Sequence, residues 1–212
     1  MLKLDHLTIV APSLEVGAAH VRDQLGIDMP VGGKHPEMGT HNLVLRLSDE
    51  VFIEVIAVDP AANRPSHPRW FGLDDSEAVR LAWADGRRLR GWVAETDNLD
   101  AVLARHGTLL GQKTRVSRGE RSWLFSVPPD GSLPVGGVAP SVVDREGRLG
   151  AISTLPKLGV NLLSFRVEHP DPDWVLALYK SLDVVNQPEV RKAAQFRYRA
   201  TIDTPSGIKD LW

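Results

Sequence analysis

Residues Leu4–Ile27, LDHLTIVAPSLEVGAAHVRDQLGI, carry the pattern that decides the fold. Leu4 to Val10 reads as a short apolar strand with period-two alternation, which sets His6, Thr8 and Val10 on one face and Asp5, Leu7 and Ile9 on the other. Pro12-Ser13 ends the strand, and an amphipathic helix follows, with Ser13 suited to its N-cap and Glu15 to its positive end. The same plan returns twice. Leu89–Leu110, LRGWVAETDNLDAVLARHGTLL, lies at an offset of 85 residues, which places Asn98-Leu99-Asp100 on Ser13-Leu14-Glu15. Val160–Val184, VNLLSFRVEHPDPDWVLALYKSLDV, lies at an offset of 157, with Asp171 and Asp173 ahead of the helix that begins near Trp174. Identities are few, but apolar positions and helix starts keep step.

Strand-like pairs follow the helices. His41–Leu47 and Val51–Val58 flank Ser48-Asp49-Glu50, a hairpin by pattern. Arg121–Val127 precedes the turn Pro128-Pro129-Asp130-Gly131, with Ser132–Val138 as the next strand. Phe196–Asp203 and Ile208–Trp212 flank Thr204-Pro205-Ser206-Gly207 as a terminal hairpin. The expected fold is α+β: strand–helix–strand–strand modules, with one more strand open in the longer copies, the first two, about 1–75 and 86–140, pairing their sheets around one cavity. They make up a unit of residues 1–158, and residues 159–212 form an incomplete third module docked on it. The Pro- and Gly-rich stretches 60–73 and 136–158 read as long functional connections.

Composition removes several classes of function. Twenty-five basic residues against 27 acidic ones give a net charge of −2, which speaks against a nucleic-acid partner. The longest run without Asp, Glu, Lys or Arg is Gly131–Val143, broken by Gly and Pro and too short for a membrane span of about 20 apolar residues. Asp5 and His6 interrupt any leader peptide, so a cytoplasmic location is expected. The absence of Cys removes disulfides, thiolate metal sites and a cysteine nucleophile. Val31-Gly32-Gly33-Lys34 lacks the glycine spacing and the Ser or Thr of a phosphate loop, and the sequence offers no motif for an organic cofactor. The looser basic run Arg115, Arg118 and Arg121 reads as solvated surface or salt bridges.

Modules opened by LDHLTIV and closed by FIEVI resemble the vicinal oxygen chelate superfamily, which includes glyoxalase I. LDHLTIVAPSLEVGAAHV, Glu37-Met38-Gly39-Thr40-His41-Asn42 and RPSHPRWFGLD are similar to the bacterial glyoxalase-like domain proteins, over almost the whole chain. The resemblance implies repeated β-α-β-β-β modules forming curved mixed sheets around a cavity, where first and last strands of paired modules can supply ligands to a divalent metal. His6 and Glu54 stand at those positions, and imidazole plus carboxylate suits zinc, nickel, manganese or ferrous iron. The other modules put Gly91 and Leu163 where a second histidine would stand, and Ser132–Val138 carries no acid. Two ligands are short of the three that catalytic zinc usually takes.

His41 is a further candidate. If Ser48 pairs with Val51, Leu45 faces Glu54 and His41 lies on the same side, about 13 Å away along the strand. That suits an acid–base or substrate-contacting group at the cavity rim. Glu54 and His41 are therefore the candidate catalytic residues, and His41, Asn42, Arg69 and Trp70 the candidate substrate contacts, Arg69 for an anion and Trp70 as an apolar wall. Two functions compete. One is a small-molecule enzyme of glyoxalase-like type, a metal-assisted lyase or isomerase acting on adjacent oxygens. The other is a metal-free protein that sequesters a small ligand. The expected partner is a small molecule, with room for a homodimer and no membrane or nucleic acid.

Overall fold

The computed structural model describes residues 1–148 and 150–212. The first module runs β1 (Lys3–Val10), α1 (Leu14–Leu25), β2 (Val31–His35), β3 (Thr40–Arg46) and β4 (Phe52–Val58). A Trp70–Gly72 turn and helix α2 (Ser76–Ala84) then lead to β5 (Leu89–Thr96), α3 (Leu99–Leu110), β6 (Gln112–Arg118), β7 (Arg121–Val127) and β8 (Ser141–Asp144). The last module runs β9 (Asn161–His169), α4 (Pro172–Ser181), β10 (Glu189–Lys192), β11 (Arg197–Thr204) and β12 (Gly207–Leu211). Ser13, Asn98 and Asp171 each cap their helix by accepting from the backbone N–H three residues on.

The first two modules form one eight-stranded sheet in the order β2-β3-β4-β1-β5-β8-β7-β6. Each pairs its first strand in parallel with its last, β1 with β4 and β5 with β8, and the modules join antiparallel through β1 and β5. The sheet curls until its outer strands nearly meet. At that closure the Ser117 N–H and hydroxyl donate to the Glu37 carboxylate at 3.2 and 2.6 Å. The α+β repeat architecture of the vicinal oxygen chelate type is thus present.

The third module keeps the strand, helix and terminal hairpin but is wired differently. Its four strands follow the order β10-β9-β11-β12, so β9 pairs with β10 and β11 rather than with the last strand. Its inner face joins Leu7, Ile9, Trp92 and Leu99 in one core with Phe165, Tyr179, Tyr198 and Ile202, on the convex side of the large sheet. The concave side carries a separate apolar cluster that includes Val10, Ile56, Trp70, Val93 and Phe125.

Three local expectations are corrected. The strand expected at Ser132–Val138 is a tight turn at Pro134–Gly137, and the module's last strand lies later, at Ser141–Asp144, past the expected end at residue 140. Strict alternation fails in β1: Leu4 pairs with Ala94 and His6 with Val93, so Asp5 is an extra residue that the bulge turns beside His6. In the β3–β4 hairpin the N–H groups of Leu47 and Ser48 both bond to the Val51 carbonyl. Val44, not Leu45, therefore faces Glu54. A one-residue slip exchanges the two faces of a strand.

Candidate functional site

The concave face encloses a cleft that opens to solvent at its mouth. His6 comes from β1, Asn42 from β3, and Phe52 and Glu54 from β4. His35 closes the β2 edge, Trp70 and Phe71 form a wall, and β6–β7 bring Arg118, Arg121, Trp123 and Phe125. Arg145 and Arg148 reach in from the segment after β8. A wider, shallower hollow runs past the start of α2, lined by Asp74, Asp75, Glu77, Arg90 and Asp130 among others. It lacks aromatic walls.

His6 and Glu54 are each 6% exposed, so their charges need partners. His6 Nδ1 donates to Asp5 Oδ1 at 2.5 Å, and His6 Nε2 stands 3.4 Å from Glu54 Oε2. Arg145 Nη2 donates to both Asp5 oxygens, at 2.7 and 2.6 Å. Asn42 Nδ2 donates to Glu54 Oε1 at 2.5 Å. Phe52 stacks on the imidazole, with centroids 4.5 Å apart. Burial alone would push His6 down, but hydrogen bonds to Asp5 and Glu54, with the charges of both, outweigh it and hold His6 above its ordinary range. Burial likewise works to raise Asp5 and Glu54, yet the His6 contact, with Arg145 for Asp5 and Asn42 for Glu54, leaves both carboxylates below theirs. His6 thus stands between two carboxylates that favour its protonated form, with Arg145 as a further counter-charge to Asp5.

His35 behaves in the opposite way. Burial pushes it down to about 4, so it is neutral at neutral pH. Its Nδ1 meets Thr40 Oγ1 at 3.1 Å, and Trp70 Nε1 donates to the same hydroxyl at 3.2 Å. Phe71 beside Trp70 adopts φ 57°, a left-handed conformation uncommon for a bulky residue.

His6, Glu54, Asn42 and Trp70 come together in the cleft. His41 and Arg69 do not. Because Asn42 pairs with Ile56 and Val44 with Glu54, His41 projects from the other face of β3, toward α1 and the Glu15 charge. Arg69 is held by Asp74, Nη1 to Oδ1 at 2.5 Å, and its Nε donates to the Gly39 carbonyl at 3.4 Å. The residues that sequence reasoning missed are Asp5, Arg118, Arg121, Arg145 and Arg148. Asp5 is hidden by its bulge. Arg118 and Arg145 reach the cleft only when distant segments meet. The Gly32-Gly33 pair was a usable signal, because a Cβ on Gly33 would stand 2.6 Å from Arg118 Cδ, and one on Gly32 would press on Asn42.

Two donors, His6 and Glu54, fall one short of a catalytic metal site. The second module adds none: β5–β8 pairing sets Ser141 beside Val93, as Glu54 is set beside Thr8. Among the described residues no group of three His, Asp or Glu side chains is arranged to hold a metal ion. The residues present therefore do not fit a protein-held metal. None of the described helices is long and apolar enough to cross a membrane.

A solved structure supports this fold, and two others align more loosely. A hypothetical protein from Staphylococcus aureus matches with a TM-score of 0.63 at 12% identity, over 100% of this chain and 99% of that one. Methylmalonyl-CoA epimerase from Mycobacterium tuberculosis aligns with a TM-score of 0.43 and 17% identity, over 72% of this chain and 91% of that one. A xylose isomerase-like TIM barrel/4-hydroxyphenylpyruvate dioxygenase fusion protein aligns with a TM-score of 0.44 and 18% identity, over 99% of this chain and 31% of that one. No curated protein matches the sequence. The model of the glyoxalase-like domain family matches residues 4–182, and the chain belongs to that family.

Proposed function

We propose that the protein is a small-molecule enzyme of the glyoxalase-like type that moves a proton at a carbon next to a carbonyl, as an isomerase or lyase does. The observation that carries this reading is the buried Asp5–His6–Glu54–Asn42 chain opening into an aromatic-walled cleft. Glu54 is an ionised carboxylate beside His6, with Asn42 fixing one oxygen, so its other oxygen is placed to accept a proton. His6, oriented by Asp5, presents an Nε2–H that can swing from Glu54 to a substrate oxygen and stabilise the charge that develops there. Phe52, Trp70 and Phe125 limit water around both groups.

Deuterium uptake is the test. Phenylpyruvate, incubated with the protein in heavy water, should exchange its benzylic protons faster than in buffer. Glu54→Gln should abolish the acceleration, and a chelator should leave it unchanged. Chelator-sensitive exchange would restore the metal-assisted reading. A second reading, a metal-free ligand-binding protein, draws on the mutual satisfaction of the same network. Saturable binding without exchange would select it.

A further inference from the structure

We propose that the cleft selects an organic monocarboxylate with a flat apolar body, its carboxylate held by Arg118 and drawn in by Arg121 and Arg148. The inference rests on the reading of the cleft as a small-molecule site and names what that molecule carries.

Charge is the first argument. The chain as a whole is at −2, yet four arginines line this cleft against the single carboxylate of Glu54. Arg145 is committed to Asp5. The other three have no carboxylate within 4.0 Å among the described residues. Arg121 Nη2 donates to Thr154 Oγ1 at 3.3 Å, and Arg148 Nη1 to the Ser122 hydroxyl at 2.9 Å and carbonyl at 3.3 Å, all neutral oxygens. Arg118 has one long bond, Nη1 to Asn42 Oδ1 at 3.5 Å, although it is half-buried. A guanidinium offers five donors in a planar fork that matches a carboxylate. Burial pushes Arg118 below its ordinary range, with Glu54 opposing and Arg121 and Arg145 adding to the effect, as expected of a cation short of counter-charge.

Position is the second argument. The stem of Arg118 lies over Gly33, where no side chain intervenes, so the guanidinium is held before any ligand arrives. The Asn42 amide links the two ends of the site, donating to Glu54 and accepting from Arg118. An anion on Arg118 therefore sits one side chain from the proposed base. That proximity favours a monoanion over a dianion, because Glu54 would repel further negative charge. The apolar body would rest on the aromatic walls.

Binding is read by quenching of Trp70 and Trp123 fluorescence, using phenylacetate and phenylpropanoate, their uncharged carboxamides, and phenyl phosphate. The acids should saturate and bind at least about tenfold tighter than the amides, and added salt should weaken them. Arg118→Gln should weaken the acids about 10- to 100-fold while leaving the amides unchanged. Should Arg118→Gln misfold by near-ultraviolet circular dichroism, the rim variant Arg121→Gln/Arg148→Gln decides, with a smaller loss expected for the acids alone. Equal affinity for acids and amides, no saturable binding at millimolar acid, or indifference to these substitutions overturns the proposal. So does tighter binding of phenyl phosphate. Intact acid binding without deuterium exchange would instead sink only the proton-transfer reading.

Discussion

Asn42 and Glu54 are diagonal neighbours on the concave face of β3 and β4, joined by a 2.5 Å hydrogen bond from the Asn42 amide. Asn42 stands opposite Ile56 and Glu54 opposite Val44, so the contact exists only in the observed register. It joins the acid–base pair to the arginine end of the cleft, and removing it should affect both.

Asn42→Leu leaves a Glu54 oxygen buried without its donor. The expected cost is about 1–3 kcal/mol of stability, and the Glu54 carboxyl should move up from its depressed position. Denaturant titration measures the first effect and the pH dependence of deuterium exchange the second. An unchanged midpoint would show that the bond is not made in solution.

The glycine pair supplies an independent check. A Cβ on Gly32 would collide with the Asn42 side chain and stand 2.7 Å from the Asn42 carbonyl oxygen, which is backbone and cannot easily move. On Gly33 it meets only the flexible Arg118 stem. Gly32→Ala should therefore destabilise the fold by about 1–3 kcal/mol. Gly33→Ala should leave the denaturant midpoint nearly unchanged and weaken acid binding through Arg118. Equal midpoints for the two variants would contradict this packing.

How far the site could be read from sequence follows from how local its causes are. The three strand–helix units were legible because strand period and the caps Ser13, Asn98 and Asp171 are set within a few residues. His6 and Glu54 could be named from family position. His41 was turned to the wrong face because Leu47 and Ser48 share one carbonyl, a detail that composition does not encode. The same slip hid the depth of Asn42. Arg118 and Arg145 depend on sheet closure and on pairing with Asp5, 140 positions earlier in the case of Arg145. Such contacts carry no local period.

Stability should peak near pH 6.5. His6 is raised in the fold, so its contribution is complete below the ordinary histidine value and is lost as pH rises through its folded value. His35 and His20 are both pushed down to about 4, first by burial, so protonation of the unfolded chain draws stability away as pH falls from about 6.5 toward 4. Below that, Asp5 and Glu54 lose their ionised advantage as well. Thermal denaturation across pH should show both limbs. His6→Gln should flatten the alkaline limb and His35→Gln the acid one. A curve unaltered by His6→Gln would contradict the favoured protonated form of His6.

The docking of the third module depends on a shared acceptor. The Val138 carbonyl receives the Tyr179 hydroxyl at 2.9 Å, the Tyr198 hydroxyl at 3.3 Å and Trp92 Nε1 at 3.5 Å, and Tyr198 also donates to the neighbouring Gly137 carbonyl. Tyr179 and Tyr198 belong to the third module, while Trp92, Gly137 and Val138 belong to the second. Tyr179→Phe removes one donor while Tyr198 remains within reach, so the expected cost is modest, about 0.5–1.5 kcal/mol. Tyr198→Phe should cost a similar amount, chiefly through the Gly137 carbonyl. With both changed, only the long Trp92 contact serves Val138, and the double variant should lose more than the two single losses combined, by about 0.5–1 kcal/mol. Because this cluster lies in the convex-side core, acid binding in the concave cleft should be unaffected in all three variants. Urea midpoints complete the double-mutant cycle, and strict additivity would mean that the two tyrosines hold the module independently rather than through one carbonyl.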